Sequence, residues 1–202
     1  SARGSCVPRV YGKLGSFWSE DRALTVFLIA LVVVAFVIGP LGFVGRLGAI
    51  VLALSTSFLL ITGVLTVVRG RRAALGASLL ALVTLVIGWL VVWHPSVVLH
   101  VVNDVLLVVY LGLLAAVVFA RVFRGGTITV HRIVGAVAAY ILLGIIWTQL
   151  YELIATLQPA AFRYDAGPTL TRQALLYYSF VTMTTVGYGD IVPVHPVARS
   201  LA

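Results

Sequence analysis

Thr184-Thr185-Val186-Gly187-Tyr188-Gly189-Asp190 is the stretch on which the reading of this chain turns. Its second half places glycine at alternate positions, with Val186 and Tyr188 between. Gly187 and Gly189 adopt positive φ without steric penalty, whereas a residue with a Cβ would strain the backbone there. An aromatic, apolar segment precedes the stretch, and Asp190 and Pro193 follow it. An ordinary glycine-rich turn after a helix would explain the glycines alone. It would leave the aromatic segment and five upstream apolar runs unexplained.

Thr185-Val186-Gly187-Tyr188-Gly189 resembles the selectivity filter of the tetrameric potassium channel superfamily, whose filter loops carry this five-residue string. The resemblance covers roughly residues 168–196. It implies that backbone carbonyls from several chains replace the hydration shell of a potassium ion, with Thr185 adding its hydroxyl at the inner end. Carbonyls facing one axis require a backbone that alternates between ordinary and left-handed conformations, with Val186 and Tyr188 packed behind. The expected site is therefore Thr185, Val186, Gly187, Tyr188 and Gly189, with potassium as the permeant ion and no other cofactor.

Outward from the filter, residues 171–183 form a helix too short to span, capped by Thr169 or Thr171 and ending at the filter as a re-entrant pore helix would. Its carbonyl end carries partial negative charge and points toward the ion path. Tyr177 and Tyr178 stand where many relatives have two tryptophans, and the resemblance implies a bond from the first of them to Asp190. Thr184 and Asp190 flank the string as supporting residues. Val181 occupies the position at which some relatives carry a glutamate behind the filter. Residues 158–168 read as an outer loop, broken by Pro159, Gly167 and Pro168.

The apolar run 132–157 is the expected outer pore helix. Glu152 lies in its outer third, near Thr148 and Gln149, and an ionisable residue at that depth needs partners. The resemblance implies that Glu152 braces the filter. Its expected partners are backbone N–H groups and side chains between Asp190 and Ser200. The plain alternative is a carboxylate reaching out to the interface.

The whole chain reads as an all-α integral membrane protein: a four-helix N-terminal bundle, then the outer helix, re-entrant helix and filter. Its 202 residues are 61% hydrophobic and only 10% charged, with a mean hydropathy of +1.13, too little charge for a soluble surface. Apolar runs occupy 23–39, 47–68, 73–93, 98–123 and 132–157, and the last four are long enough to cross a core of about 30 Å. The first lies at the lower limit and follows basic residues, which also fits a signal peptide, but no Ala-x-Ala-like site comes after it. The expected divisions are a basic arm over 1–22, the bundle over 23–124 and a pore module over 125–202, with an inner helix starting near 197.

A net charge of +8 could suggest nucleic acid, but the distribution argues for topology instead. With the N-terminus cytoplasmic, ten of the 14 basic residues fall on one side: Arg3, Arg9, Lys13, Arg22, Arg69, Arg71, Arg72, Arg121, Arg124 and Arg132. Arg46, Arg163, Arg172 and Arg199 fall on the other. This positive-inside bias places the filter loop on the outer face of a plasma membrane. The excess of arginine over lysine, with abundant Ala, Val and Leu, points to a GC-rich bacterial source.

Small residues in the second and third runs (Ser55, Ser57, Gly63, Gly76, Ser78, Gly88) suit close helix packing in lipid. Trp89 and Trp93 read as interfacial anchors, and Tyr110 lies inside the fourth run. A voltage sensor needs basic residues at every third position through the membrane, and residues 105–118 contain none. His94, His100, His131 and His195 read as interfacial or loop residues, His195 also as a titratable group at the outer mouth. Cys6 is the only cysteine, which excludes an intrachain disulfide.

The resemblance implies a homotetramer in a lipid bilayer that conducts potassium passively, without enzymatic activity or nucleic-acid binding. Because the chain stops twelve residues after Asp190, the expectation is a piece of a longer protein whose inner helix continues beyond Ala202. The alternatives are a non-selective cation channel on the same scaffold and a non-conducting regulatory or structural membrane subunit. No feature of the sequence identifies a gating stimulus.

Overall fold

The computed structural model describes residues 25–38, 45–67, 71–123, 130–165 and 170–202. The expected basic arm over 1–22 lies outside them. Helix α1 (Thr25–Ile38) is apolar and becomes a π-helix over Val33–Ile38. As described, it is too short to cross a core of about 30 Å. Four longer helices follow: α2 (Gly45–Val67), α3 (Arg71–Trp93), α4 (Val97–Val122) and α5 (Val130–Leu157). Each is long and apolar enough to cross a membrane, so this is a multi-pass, all-α membrane protein.

These helices pack in chain order, α2 on α3, α3 on α4 and α4 on α5. Lipid gives apolar side chains no reason to leave it, so association depends on close fit and on satisfied polar groups. Gly63 provides the fit between α2 and α4: a Cβ there would lie 2.6 Å from both the Tyr110 hydroxyl and Leu114 Cδ1. The Tyr110 hydroxyl donates to the Leu60 carbonyl at 2.6 Å, so the buried phenol is satisfied. Ser55, Thr62 and Thr84 donate to carbonyls one turn back in their own helices, which removes three hydroxyls from the hydrocarbon.

Where the start of α2 meets the end of α3 the Arg46 guanidinium lies 4.8 Å from the centroid of the Trp93 ring. Trp93 therefore serves as a cation partner. At the other end Arg132 donates from Nε and Nη2 to the Val122 carbonyl at 2.9 and 2.7 Å, capping α4.

Beyond α5 the chain makes strand β1 (Phe162–Tyr164), helix α6 (Arg172–Met183), strand β2 (Ile191–Pro193) and helix α7 (Pro196–Leu201). The strands pair antiparallel, Phe162 opposite Pro193 and Tyr164 opposite Ile191. Reading residues 158–168 as a plain loop misses this ribbon, because three-residue strands carry no legible periodicity. A second core forms beneath the ribbon from Tyr151, Phe162, Leu175, Tyr178, Ile191 and Ala198.

Helix α6 lies directly on α5. The Ser179 hydroxyl donates to the Gly144 carbonyl at 2.8 Å. A Cβ on Gly144 would meet the Phe180 ring at 2.5 Å, so only glycine permits this approach. Gly144→Val should therefore lower the thermal unfolding midpoint in detergent, at a cost of about 1–3 kcal/mol from overpacking. Gly76→Ala, where nothing lies within 4 Å, should stay within about 0.5 kcal/mol of the parent.

Candidate functional site

The segment 184–190 begins where α6 ends. Thr171 caps the helix, its hydroxyl oxygen accepting from Ala174 N at 3.2 Å, and Thr184 closes it with its hydroxyl donating to the Phe180 carbonyl at 2.7 Å. The chain then turns back on the helix. Thr185 N donates to the Thr182 carbonyl at 3.0 Å, and Val186 N and Gly187 N donate to the Val181 carbonyl at 3.1 and 3.4 Å. The inner half of the segment is thereby fastened to the last turn of α6 through its N–H groups.

The backbone of the segment alternates. Thr185, Gly187 and Gly189 have φ of 59°, 55° and 79°, whereas Val186 and Tyr188 do not enter the positive-φ region. The two glycines adopt this conformation freely. At Thr185, a β-branched residue, the left-handed region costs of order 1–3 kcal/mol, which the surrounding bonds must impose. Among the described residues no donor reaches the carbonyls of Thr185, Val186, Gly187, Tyr188 or Gly189. The result is five consecutive unpaired acceptors on a backbone of alternating hand.

The ribbon holds the outer end. Asp165 N donates to the Asp190 carbonyl at 3.3 Å, and Val194 N and His195 N donate to the Ala161 carbonyl at 2.9 and 3.2 Å. His195 caps α7, its Nδ1 accepting from Val197 N at 3.3 Å. Trp147 Nε1 and the Tyr151 hydroxyl, both on α5, donate to the Leu201 carbonyl at 2.9 and 3.1 Å. Residues 191–201 are thus seated on α5.

The two tyrosines of α6 separate. Tyr178 is buried, with ring centroids 5.0 Å from Tyr151 and 5.8 Å from Phe162. Tyr177 stays half-exposed and stacks on Tyr188, rings 6.5 Å apart and 5° from parallel. Desolvation, followed by the nearby Asp190 carboxylate, raises the Tyr177 hydroxyl above the usual phenol range. Val186 and Tyr188 are exposed on the isolated chain.

Glu152 does not reach the segment between Asp190 and Ser200, where its partners were expected. That segment is taken by the ribbon and by Trp147 and Tyr151. Glu152 Oε2 instead lies 2.9 Å from Arg172 Nη1, at the first residue of α6. A cation at a helix N-terminus opposes the helix dipole, and the carboxylate offsets that cost. Gln149 is 1% exposed and lies beside the pair; with its amide turned so that oxygen faces the donor, its nitrogen donates to Glu152 Oε2 at 3.2 Å and its oxygen accepts from Arg172 Nη2 at 2.5 Å. Asp104 of α4, 4% exposed, borders the same cavity as Glu152 and Arg172. Reading the fourth run only for basic residues passed over Asp104, although it is the lone acidic residue of that run.

Residues 152–202 match a protein family described as an ion channel. The chain is similar to two rice proteins (Oryza sativa subsp. japonica). One is two pore potassium channel b, 42% identical over 82 residues, which are 40% of this chain and 21% of that protein. The other is two pore potassium channel c, 46% identical over 41 residues, which are 20% of this chain and 9% of that protein. The chain thus spans about a fifth or less of the length of these relatives. No solved structure matches it. The family match places the similarity to ion channels in residues 152–202, which hold α6, the segment 184–190 and the ribbon strand β2.

Glu152→Ala should leave Arg172 without its carboxylate in a partly buried site and lower stability by about 1–3 kcal/mol, read by thermal unfolding. Glu152→Gln should cost less, because its amide keeps an acceptor oxygen. Equal losses for the two variants would place Glu152 outside the support of α6.

Proposed function

We propose that the chain is a subunit of a potassium-selective channel, with Thr185–Gly189 as its filter strand. The carrying observation is the run of five carbonyls without donors on a backbone with positive φ at every second residue. Alternating hand turns successive carbonyls to one side, and such a row, repeated around an axis, replaces the water shell of a bare cation. One chain supplies one strand, so the reading requires a ring of copies, a homotetramer in the resembling superfamily. Exposed Val186 and Tyr188 are then the surfaces that neighbouring copies cover.

The positive-inside bias supports a cytoplasmic N-terminus and an outward-facing filter in a plasma membrane. The arginine-rich composition supports a bacterial one. Residues 125–202 serve as the pore module, with α5 as outer helix and α6 as pore helix. The helices before α5 form the bundle beside it.

Purified protein reconstituted in liposomes should give a reversal potential that follows the potassium gradient and ignores sodium. Gly187→Ala should abolish this preference, since a Cβ in the left-handed region costs about 1–2 kcal/mol in every copy. A reversal potential tracking sodium as readily as potassium would overturn the reading.

Conductance should rise only shallowly with voltage. Each gating charge contributes about 2.3 kcal/mol per 100 mV, and residues 105–118 carry none. A steep conductance–voltage curve would reveal a sensor elsewhere in the chain.

A further inference from the structure

A cavity of about 240 Å³ lies where the bundle meets α6. Val34 of α1, Val51 of α2, Leu107 and Leu111 of α4, Ile145 of α5 and Leu176 of α6 wall it. The α1 wall belongs to the π-helical stretch Val33–Ile38, a departure from α geometry that recurs at functional sites. Most polar side chains of the lining already have partners. Thr56 donates to the Leu52 carbonyl at 3.0 Å and Thr148 to the Gly144 carbonyl at 2.8 Å, each within its own helix. Arg172 pairs with Glu152, and Gln149, with its amide turned, bonds to both. Gln173 is half-buried and, among the described residues, its side chain has no partner.

We propose that this cavity binds the acyl chain of a membrane lipid, which enters as uncharged hydrocarbon between the bundle and α6. A buried water needs about two to four polar partners, and a wall whose polar groups are paired offers too few. Apolar cavities of about 150 Å³ stay dry and take up benzene, and this one is larger. A helix, about 10–12 Å across with its side chains, is too wide to enter, which leaves a narrow and flexible chain. The helices around the cavity supply the setting: α2, α4 and α5 are long and apolar enough to cross a membrane, so acyl chains are the hydrocarbon at hand. Glu152 offsets the charge of Arg172, so an anionic head group gains nothing there, and Gln173 leaves one amide for an uncharged ester. A void forfeits the dispersion contacts of its lining, and a bound chain restores them, packing α6 against the bundle through Leu176.

The test uses the full chain in phosphatidylcholine vesicles that contain a phosphatidylcholine with a photoreactive diazirine near the end of one acyl chain. After illumination, mass spectrometry should find label on Leu107, Leu111 and Ile145, which are buried in the folded chain, as well as on the exposed Leu79 and Leu82 of α3. Val51→Phe and Leu111→Phe fill the void from two different helices. Each should remove the label from Leu107 and Ile145 and leave that on α3 unchanged, which also shows that the variant has folded into the membrane. A parent protein labelled only on its exposed faces would overturn the proposal, as would undiminished labelling of Leu107 and Ile145 in both variants. A phosphatidylglycerol probe should label the cavity no better than the phosphatidylcholine one; a clear preference for it would show that Arg172 recognises an anion and would refute the uncharged reading. Label from a free diazirine alkanol where the lipid probe leaves none would rule out a lipid as the occupant.

Discussion

A backbone carbonyl without a donor is expensive in hydrocarbon, and Thr185–Gly189 present five in succession for which no donor is found among the described residues. Membrane proteins tolerate such backbone only where it is enclosed by protein or lines a wet path. That constraint explains why the segment 184–190 cannot stand alone. Its N–H groups must be secured to something rigid so that its carbonyls stay free, and both its ends must be fixed so that the alternating backbone does not relax into a turn. Everything packed around residues 184–190 meets one of these two demands.

The inner end is fixed by α6, and α6 by α5. The Ser179 bond to the Gly144 carbonyl and the Phe180 ring over Gly144 set the distance between the helices. The outer end is fixed by the two-stranded ribbon, which returns the chain to α5 through Ala161 and through Trp147 and Tyr151. The buried aromatics Tyr151, Phe162 and Tyr178 fill the space between these anchors. Because both ends refer to one helix, the strain at Thr185 is held by geometry and not by local preference.

Much of this was legible in the sequence, and what was legible follows from periodicity and special residues. Long apolar runs become α2–α5 within a few residues of the hydropathy limits. Gly187 and Gly189 announce their positive φ, and Thr171 announces a cap. What stayed hidden depends on pairs distant in the chain. Three-residue strands give no pattern until Phe162 finds Pro193. Gly144 looks like any glycine in an apolar helix until Phe180 lies on it. Glu152 was visibly in need of a partner, but its partner is decided by where α6 begins. The positive φ at Thr185 has no local signal either, since a threonine by itself avoids that region.

Arg172 shows how local cost and tertiary placement fit together. A guanidinium at the first residue of a helix works against the dipole of that helix, and α6 lacks an acidic residue in its first turn. Read locally, the choice is unfavourable. In the folded chain it sits against Glu152, and Gln149, with its amide turned, adds one bond to each of the two. A neutral residue at 172 would remove the dipole conflict but leave the partly buried Glu152 carboxylate without its counter-charge, a costlier arrangement. The arginine is therefore better understood as the counter-ion of α5 than as part of its own helix. Its position at the start of α6 ties that end of the helix to the charge on α5.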